Sequence, residues 1–212
     1  MTLFGDSPTR ELLPYDGSAV FHEWVLGEES HESLLTTLTS ELEWEQRHLV
    51  MFGKEVAEPR LSAWYGDEEY TYSGITLAPR PMTPTLDRLR RLCEDRAGSR
   101  FNSVLANLYR NGHDSMGWHA DDEPELGPEP VIASLSLGCT RRFRFRHRRD
   151  REIVEHDLTG GSLLVMGGAC QSAWMHAVPK QSRVTDARLN LTFRRILGRD
   201  EVLRRGRRHA DA

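Results

Sequence analysis

The sequence is short of cysteine, of long apolar runs and of net charge, and each shortage removes a class of protein. Its three cysteines, Cys93, Cys139 and Cys170, form no Cys-x-x-Cys pair, which argues against a disulfide scaffold or a zinc-thiolate centre and for a reducing, cytoplasmic setting. No apolar stretch approaches the ~20 residues that cross a bilayer. The first residues, with Asp6, Glu11 and Asp16 and no apolar segment, lack the pattern of a secretory signal. A formal net charge of -4 gives no global attraction to a polyanion, so nucleic-acid contacts would have to come from local basic patches. Neither an internal repeat nor a second domain boundary interrupts the 212 residues, and 38% hydrophobic content is enough for one domain with a sizeable core. The expectation is a soluble, unexported monomer with no membrane partner.

What is present centres on Ser115-Met116-Gly117-Trp118-His119-Ala120-Asp121-Asp122-Glu123. In a strand, residues i and i+2 share a face, so His119 and Asp121 would project into one cavity while Trp118 and Ala120 face away. His176 is the best later candidate for a third ligand. Two histidines and one carboxylate make the facial triad of non-haem Fe(II) oxygenases, which leaves coordination positions open for co-substrate and dioxygen. A lone His-x-Asp also fits a solvated surface turn. The strand Arg188-Leu189-Asn190-Leu191-Thr192-Phe193-Arg194 tips the balance. Alternation puts Arg188, Asn190, Thr192 and Arg194 on one face, which is costly to bury without an anion and suited to holding a dicarboxylate bidentately. Its competitor is an exposed edge strand.

Along the chain, residues 1–20 read as an irregular arm. Leu34, Leu35, Leu38 and Leu42 have helical spacing from Ser30 to Leu42. Trp44 to Phe52 and Arg60 to Tyr65 read as strands joined by a turn at Gly53-Lys54-Glu55, a hairpin with Val50, Met51 and Phe52 at its tip. Three apolar residues at an exposed tip either pack under a neighbour or serve as a wedge. Tyr65, Tyr70 and Tyr72, with Trp64, form either an aromatic sheet edge or a stacking surface for an unpaired base. A helix should start at Thr83 (N-cap) and Pro84 and stop at Gly98. Phe101 to Arg110, Val131 to Leu137 and Ser162 to Met166 read as further strands. Arg141 to Arg151 sets Phe143 and Phe145 against Arg142, Arg144 and Arg146, either a solvated face or a phosphate-contacting one. The fold class is therefore mainly β with helices on one face of the sheet.

In order and spacing, Asn107-x-Tyr109, His119-x-Asp121-Asp122-Glu123, His176 and Arg188-x-Asn190-x-Thr192-x-Arg194 resemble the AlkB family of Fe(II)- and 2-oxoglutarate-dependent nucleic-acid dealkylases. Pro59 to Gly66 and Tyr70 to Gly74 resemble its DNA-repair homologues in animals, and the resemblance covers roughly residues 48 to 197. It implies a double-stranded β-helix, the jelly-roll core of cupin-like dioxygenases, within a single domain. That domain would run from the arm through a nucleotide-recognition hairpin region at 48–74 and a catalytic core at 100–197 to a basic tail at 199–212.

The resemblance further implies Fe(II) held by His119, Asp121 and His176, with O2 and 2-oxoglutarate as co-substrates. Asn107, Tyr109, Arg188, Asn190, Thr192 and Arg194 would form the 2-oxoglutarate pocket. N-alkylated DNA, single- or double-stranded, would be the partner, with RNA left open. The target base would be flipped out of its stack, flanked by Tyr70 and Tyr72 and met by Asp122 and Glu123, which would contact its edge or order the loop. Phe52 would fill the vacated space, and Gly53, Lys54, Trp64, Tyr65 and Thr71 would complete the contact surface. Between Tyr65 and Tyr70 the loop is shorter than in duplex-specific relatives, and Trp64-Tyr65 look more like the relative that prefers single strands. The competing functions are a dioxygenase acting on a protein or small metabolite and a non-catalytic nucleic-acid-binding module.

Overall fold

The computed structural model describes residues 8–51, 54–68, 70–72 and 75–198. In chain order the first half holds β1 (Thr9–Glu11), β2 (Ser18–His22), α1 (His31–Glu41), β3 (His48–Met51), β4 (Lys54–Ala57), β5 (Leu61–Gly66), β6 (Tyr70–Tyr72), β7 (Ile75–Leu77) and α2 (Pro84–Ala97). The second half holds β8 (Ser103–Tyr109), β9 (Met116–His119), a 3-10 turn at Pro124–Leu126, β10 (Ile132–Gly138), β11 (Arg141–His147), β12 (Ile153–Leu158), β13 (Leu163–Gly167), α3 (Cys170–Ala173), β14 (Trp174–Val178) and β15 (Arg188–Arg194).

Two antiparallel sheets carry the site. The larger runs β1-β2-β13-β10-β15-β8-β5 and the smaller β12-β11-β14-β9. Period-two alternation divides the buried apolar side chains into two layers. Val104, Ala106, Leu108, Ala133, Leu135, Leu137, Leu189, Leu191 and Phe193 meet Leu34 and Leu38 of α1 and Leu86, Leu89 and Cys93 of α2. On the other face Ile132, Leu164 and Met166 pack with Phe143, Phe145, Trp174 and Val178 of the smaller sheet. The mainly β class with helices on one face is as expected.

Local chemistry sets the helix ends where the sequence places them. Thr83 Oγ1 accepts from the Leu86 N–H at 3.2 Å with Pro84 in the first turn. Gly98 ends α2 at φ 60°, a left-handed conformation that favours glycine. Ser30 caps α1 through the Ser33 N–H. At Asn111-Gly112 the backbone lies against Gln181, where a side chain at position 112 would collide with the Gln181 carbonyl.

Three expectations are corrected, and a fourth point concerns an element that the sequence did not announce. First, residues 1–20 are not an irregular arm throughout: β1 and β2 pair and extend the larger sheet beside β13. The Glu11 carboxylate holds this hairpin by accepting from the N–H groups of Leu13 and Ala19 and from Ser18 Oγ, a tie that apolar periodicity does not reveal. Second, β3 pairs with β4 across a two-residue connection. Lys54 and Glu55 are therefore strand rather than turn, and β5 pairs instead with β8. Short connections close at the least entropic cost, while Ala63 and Tyr65 of β5 find their burial beneath the helices. Third, β9 ends at His119, so strand alternation alone does not place Asp121. Fourth, the four-residue helix α3 had no periodic signal. Phe52, Gly53 and the basic tail lie outside the described residues.

Candidate metal centre and co-substrate pocket

His119 stands at the end of β9 and His176 in the middle of β14, directly opposite each other in the antiparallel register. Their ring centroids are 4.2 Å apart. Asp121 follows two residues after His119, and its carboxylate completes a set of donor atoms that lie within 4.8 Å of one another. His119 Nδ1 lies 2.9 Å from the Gly117 carbonyl; donating a proton there leaves Nε2 as a lone-pair donor, which is how protein ligands commonly fix their tautomer. The Phe143 ring stacks on His176 at 5.4 Å and 21°. Arg194 Nη2 donates to Asp121 Oδ1 at 2.8 Å in a buried ion pair, and the Asp121 N–H donates to Gln171 Oε1 at 3.0 Å.

The protonation states suit a divalent cation. Burial, reinforced by the neighbouring His119, pushes His176 down to about 3, and burial lowers His119 despite the opposing pull of Asp121. Burial alone would raise Asp121, but Arg194, His176 and His119 hold it down to about 2. At neutral pH the site presents two neutral imidazoles and one carboxylate, the forms in which these groups ligate metal. With three protein donors the ion keeps open positions.

These ligands line a cavity whose other walls include Asn107, Tyr109, Ser134, Asn190, Thr192 and Arg194. The polar face of β15 is not an exposed edge. It lies between β10 and β8, and all seven of its residues are buried. Within that face Asn190 donates to Ser134 Oγ and the Leu135 carbonyl, and Thr192 donates to Asn190. Arg188 differs. It is 1% exposed, its Nη2 donates to Ser136 Oγ at 2.9 Å, and its Nε and Nη1 have no hydrogen-bond partner among the described residues.

Arg141 and Arg188 each place a guanidinium 5.5 Å from the Tyr109 ring centroid. Arg141 also donates to Gln181 Oε1 and to the carbonyls of Asn111, Asp114 and Pro179. Arg188 has no such set, and burial lowers its pKa to about 10 despite Tyr109. A buried cation with no carboxylate among the described residues is costly unless an anion reaches it, and 2-oxoglutarate carries two carboxylates. The residues present thus fit both Fe(II) and 2-oxoglutarate. Of the two arginines, Arg194 meets the carboxylate of Asp121 and lines the cavity, whereas Arg188 meets no carboxylate among the described residues.

The expected substrate-contacting residues separate. Trp64 lies on the cavity side of β5, packed with Leu105, Leu126 and Ile196. Tyr65 points to the opposite face, in the core beneath the helices, and its hydroxyl accepts from the Glu43 N–H at 3.0 Å. Strand alternation requires one of two adjacent residues to turn away, so Tyr65 is removed from the contact surface. Asp122 is exposed and accepts from Arg148 Nη2 at 2.7 Å, an arrangement that orders the loop; Glu123 follows it into the 3-10 turn. Lys54 begins β4, and Tyr70, Thr71 and Tyr72 form β6, paired with β7. The basic face of β11 is partly neutralised: Arg142 pairs with Glu155 and Asp157, and Arg144 with Glu155, while the Arg146 guanidinium lies 4.3 Å over the Trp118 ring.

Two groups escaped the sequence reading. Arg60, 4% exposed, donates from Nε to Asn107 Oδ1 at 2.8 Å and from Nη2 to Glu58 Oε1 at 3.0 Å. Gln171 is buried beside Asp121. The opposite charges of Glu58 and Arg60, two residues apart in the connection from β4 to β5, were the available signal for the first; nothing in the sequence marks the second.

The chain belongs to the 2OG-Fe(II) oxygenase superfamily, whose family model matches residues 17–194. It is 44% identical over 173 residues to human "Alpha-ketoglutarate-dependent dioxygenase alkB homolog 3", covering 77% of this chain and 60% of that protein. It is 40% identical over 205 residues to mouse "DNA oxidative demethylase ALKBH2", covering 90% of this chain and 85% of that protein. The chain thus spans about three fifths of the length of alkB homolog 3. The solved structure of OsALKBH1 superposes with a TM-score of 0.66 at 17% identity, over 89% of this chain and 100% of that one, a likeness of fold. Together with the family it places the two facing sheets as the jelly-roll core.

Proposed function

We propose that the protein is an Fe(II)- and 2-oxoglutarate-dependent dioxygenase that removes alkyl groups from N-alkylated bases in DNA, such as 1-methyladenine and 3-methylcytosine. The single observation that carries the reading is the His119, Asp121 and His176 cluster lining a cavity whose wall residue Tyr109 lies against the Arg188 guanidinium, a cation that meets no carboxylate among the described residues. The names of the relatives add DNA as substrate. When bound, Fe(II) activates dioxygen with 2-oxoglutarate as reductant, so that the co-substrate leaves as succinate and CO2 and the N-methyl carbon is hydroxylated and shed as formaldehyde.

The chain's own work is positioning. His119 and His176 stay neutral and Asp121 ionised, as ligation requires. Arg188, with Tyr109 beneath it, takes the far carboxylate, and Asn107 is held by Arg60 against the cavity wall. Arg194 keeps Asp121 oriented toward the histidines. Trp64, Leu105, Leu126 and Ile196 make an apolar wall that limits water. A base reaching this cleft must leave its stack, at a cost of a few kcal/mol that is smallest for a lesion unable to pair. Tyr70 and Tyr72, with Phe52 as wedge, remain our assignment for receiving it and replacing it. The protein would act as a cytoplasmic monomer, with RNA a second candidate substrate.

The test is release of formaldehyde and succinate, in equal amounts, on incubation with Fe(II), 2-oxoglutarate and an oligonucleotide carrying 3-methylcytosine. Succinate without formaldehyde would point to a different acceptor, a protein or metabolite. No turnover by metal-loaded protein that binds the oligonucleotide would favour a binding module.

A further inference from the structure

β9 ends at His119, yet Asp121 has to face both histidines, so something other than the strand ladder must fix residues 120 and 121. The Asp121 N–H donates to Gln171 Oε1 at 3.0 Å, and both residues are buried. The amide of Gln171 is itself oriented, with Nε2 toward Met166 Sδ at 3.6 Å and Cys170 Sγ at 4.0 Å, contacts that leave the oxygen for Asp121. A second tie runs alongside: Arg148 Nη2 donates to the Gln171 carbonyl at 3.3 Å and to Asp122 Oδ2 at 2.7 Å. Gln171 lies on α3, which leads directly into β14 and His176, and β14 is paired to β9 at His119. One continuous segment, α3 to β14, therefore carries one ligand, pairs with the strand of the second, and holds the backbone of the third.

We infer that Gln171 is a positioning residue for the metal centre, setting the place of Asp121 through a side chain to backbone hydrogen bond. The inference rests on the metal site of the proposed function. It concerns the ion alone and stands apart from the substrate. A buried N–H that loses its acceptor must find another by moving, and at Asp121 any movement carries the carboxylate with it. Groups that orient metal ligands typically change affinity by 10- to 100-fold when replaced.

The experiment is titration of the full-length protein with Mn(II), followed by electron paramagnetic resonance, together with melting curves without metal. Gln171→Met keeps the volume and removes the acceptor, and should weaken Mn(II) binding about 10-fold, a change of about 1.4 kcal/mol. Gln171→Glu restores an acceptor at the same reach and should bind Mn(II) within about threefold of wild type or tighter. If Gln171→Met fails to fold, Gln171→Asn, whose amide is one methylene short, takes its place with the same expected loss. Equal Mn(II) affinity in the acceptor-free variant and wild type would overturn the positioning role. So would equal weakening in Gln171→Glu, because that pattern marks a packing role. Wild-type protein that binds no Mn(II), or His176→Ala that binds it as tightly as wild type, would remove the metal site itself, whereas failure of the inference alone leaves that control intact.

Discussion

Replacing Arg188 by Met should move stability and co-substrate binding in opposite directions. The guanidinium is 1% exposed and meets no carboxylate among the described residues; its Nη2 donates to the neutral Ser136 hydroxyl. Exchanging such a cation for an apolar side chain of similar volume is commonly neutral or stabilising. Thermal melting of ligand-free Arg188→Met is therefore expected at or above the wild-type temperature. Binding of 2-oxoglutarate should suffer. A charge-assisted contact is worth ~1.5 to 3 kcal/mol, which corresponds to a roughly 10- to 150-fold weaker dissociation constant. 2-Oxoglutarate at about 100 times the wild-type dissociation constant should stabilise wild-type protein by about 2.7 kcal/mol, and the variant by only about 0.3 to 1.4 kcal/mol. The assay is calorimetric titration of 2-oxoglutarate into the Mn(II)-loaded protein, with melting curves in parallel. Superimposable co-substrate titrations would refute the assignment of Arg188 as the anion site. A ligand-free variant several degrees less stable would refute the argument that the charge is uncompensated.

Single replacements His119→Ala, Asp121→Ala and His176→Ala should each abolish turnover and weaken Mn(II) binding while leaving the circular dichroism spectrum of a folded protein; full activity in any one would remove that residue from the ligand set. Glu58→Gln breaks a buried ion pair with Arg60, 2–4% exposed, and should cost about 3 kcal/mol in urea unfolding and raise the 2-oxoglutarate requirement through Asn107. A loss below about 0.5 kcal/mol would show the pair to be dispensable, since only surface pairs contribute so little. Asp114 accepts from Arg110 N, Nε and Nη2; burial alone would raise its pKa, but these bonds hold it below the usual carboxylate range. Its contribution is therefore complete above pH ~5, well clear of the ordinary carboxyl value, and is lost as the pH falls through the lowered value. Asp114→Asn should cost about 1 kcal/mol at pH 7, with wild-type and variant stabilities converging below pH ~4; a gap that stays constant with pH would sink this account.

The sequence by itself determined the parts whose signal is local. The polar face of β15 and the shared face of Asn107 and Tyr109 follow from period-two alternation, and the ends of α2 follow from Thr83, Pro84 and Gly98, whose backbone preferences need no distant partner. The ligand residues were legible because His-x-Asp, a later His and an Arg-rich strand make a restrictive chemical set. Tertiary structure decided whatever depended on pairing across the chain. Alternation cannot say which strand lies beside which, so β5 was assigned to β3 when its partner is β8, and the first strands went unseen because Glu11, not an apolar pattern, holds them. Nor can it choose between two arginines on one face. Arg194 meets Asp121 and Arg188 meets no carboxylate among the described residues, a difference made by a residue 73 positions away in the first case and by burial in the second. Gln171 carries no motif, and only the fold brings it to the backbone of Asp121, 50 residues earlier in the chain.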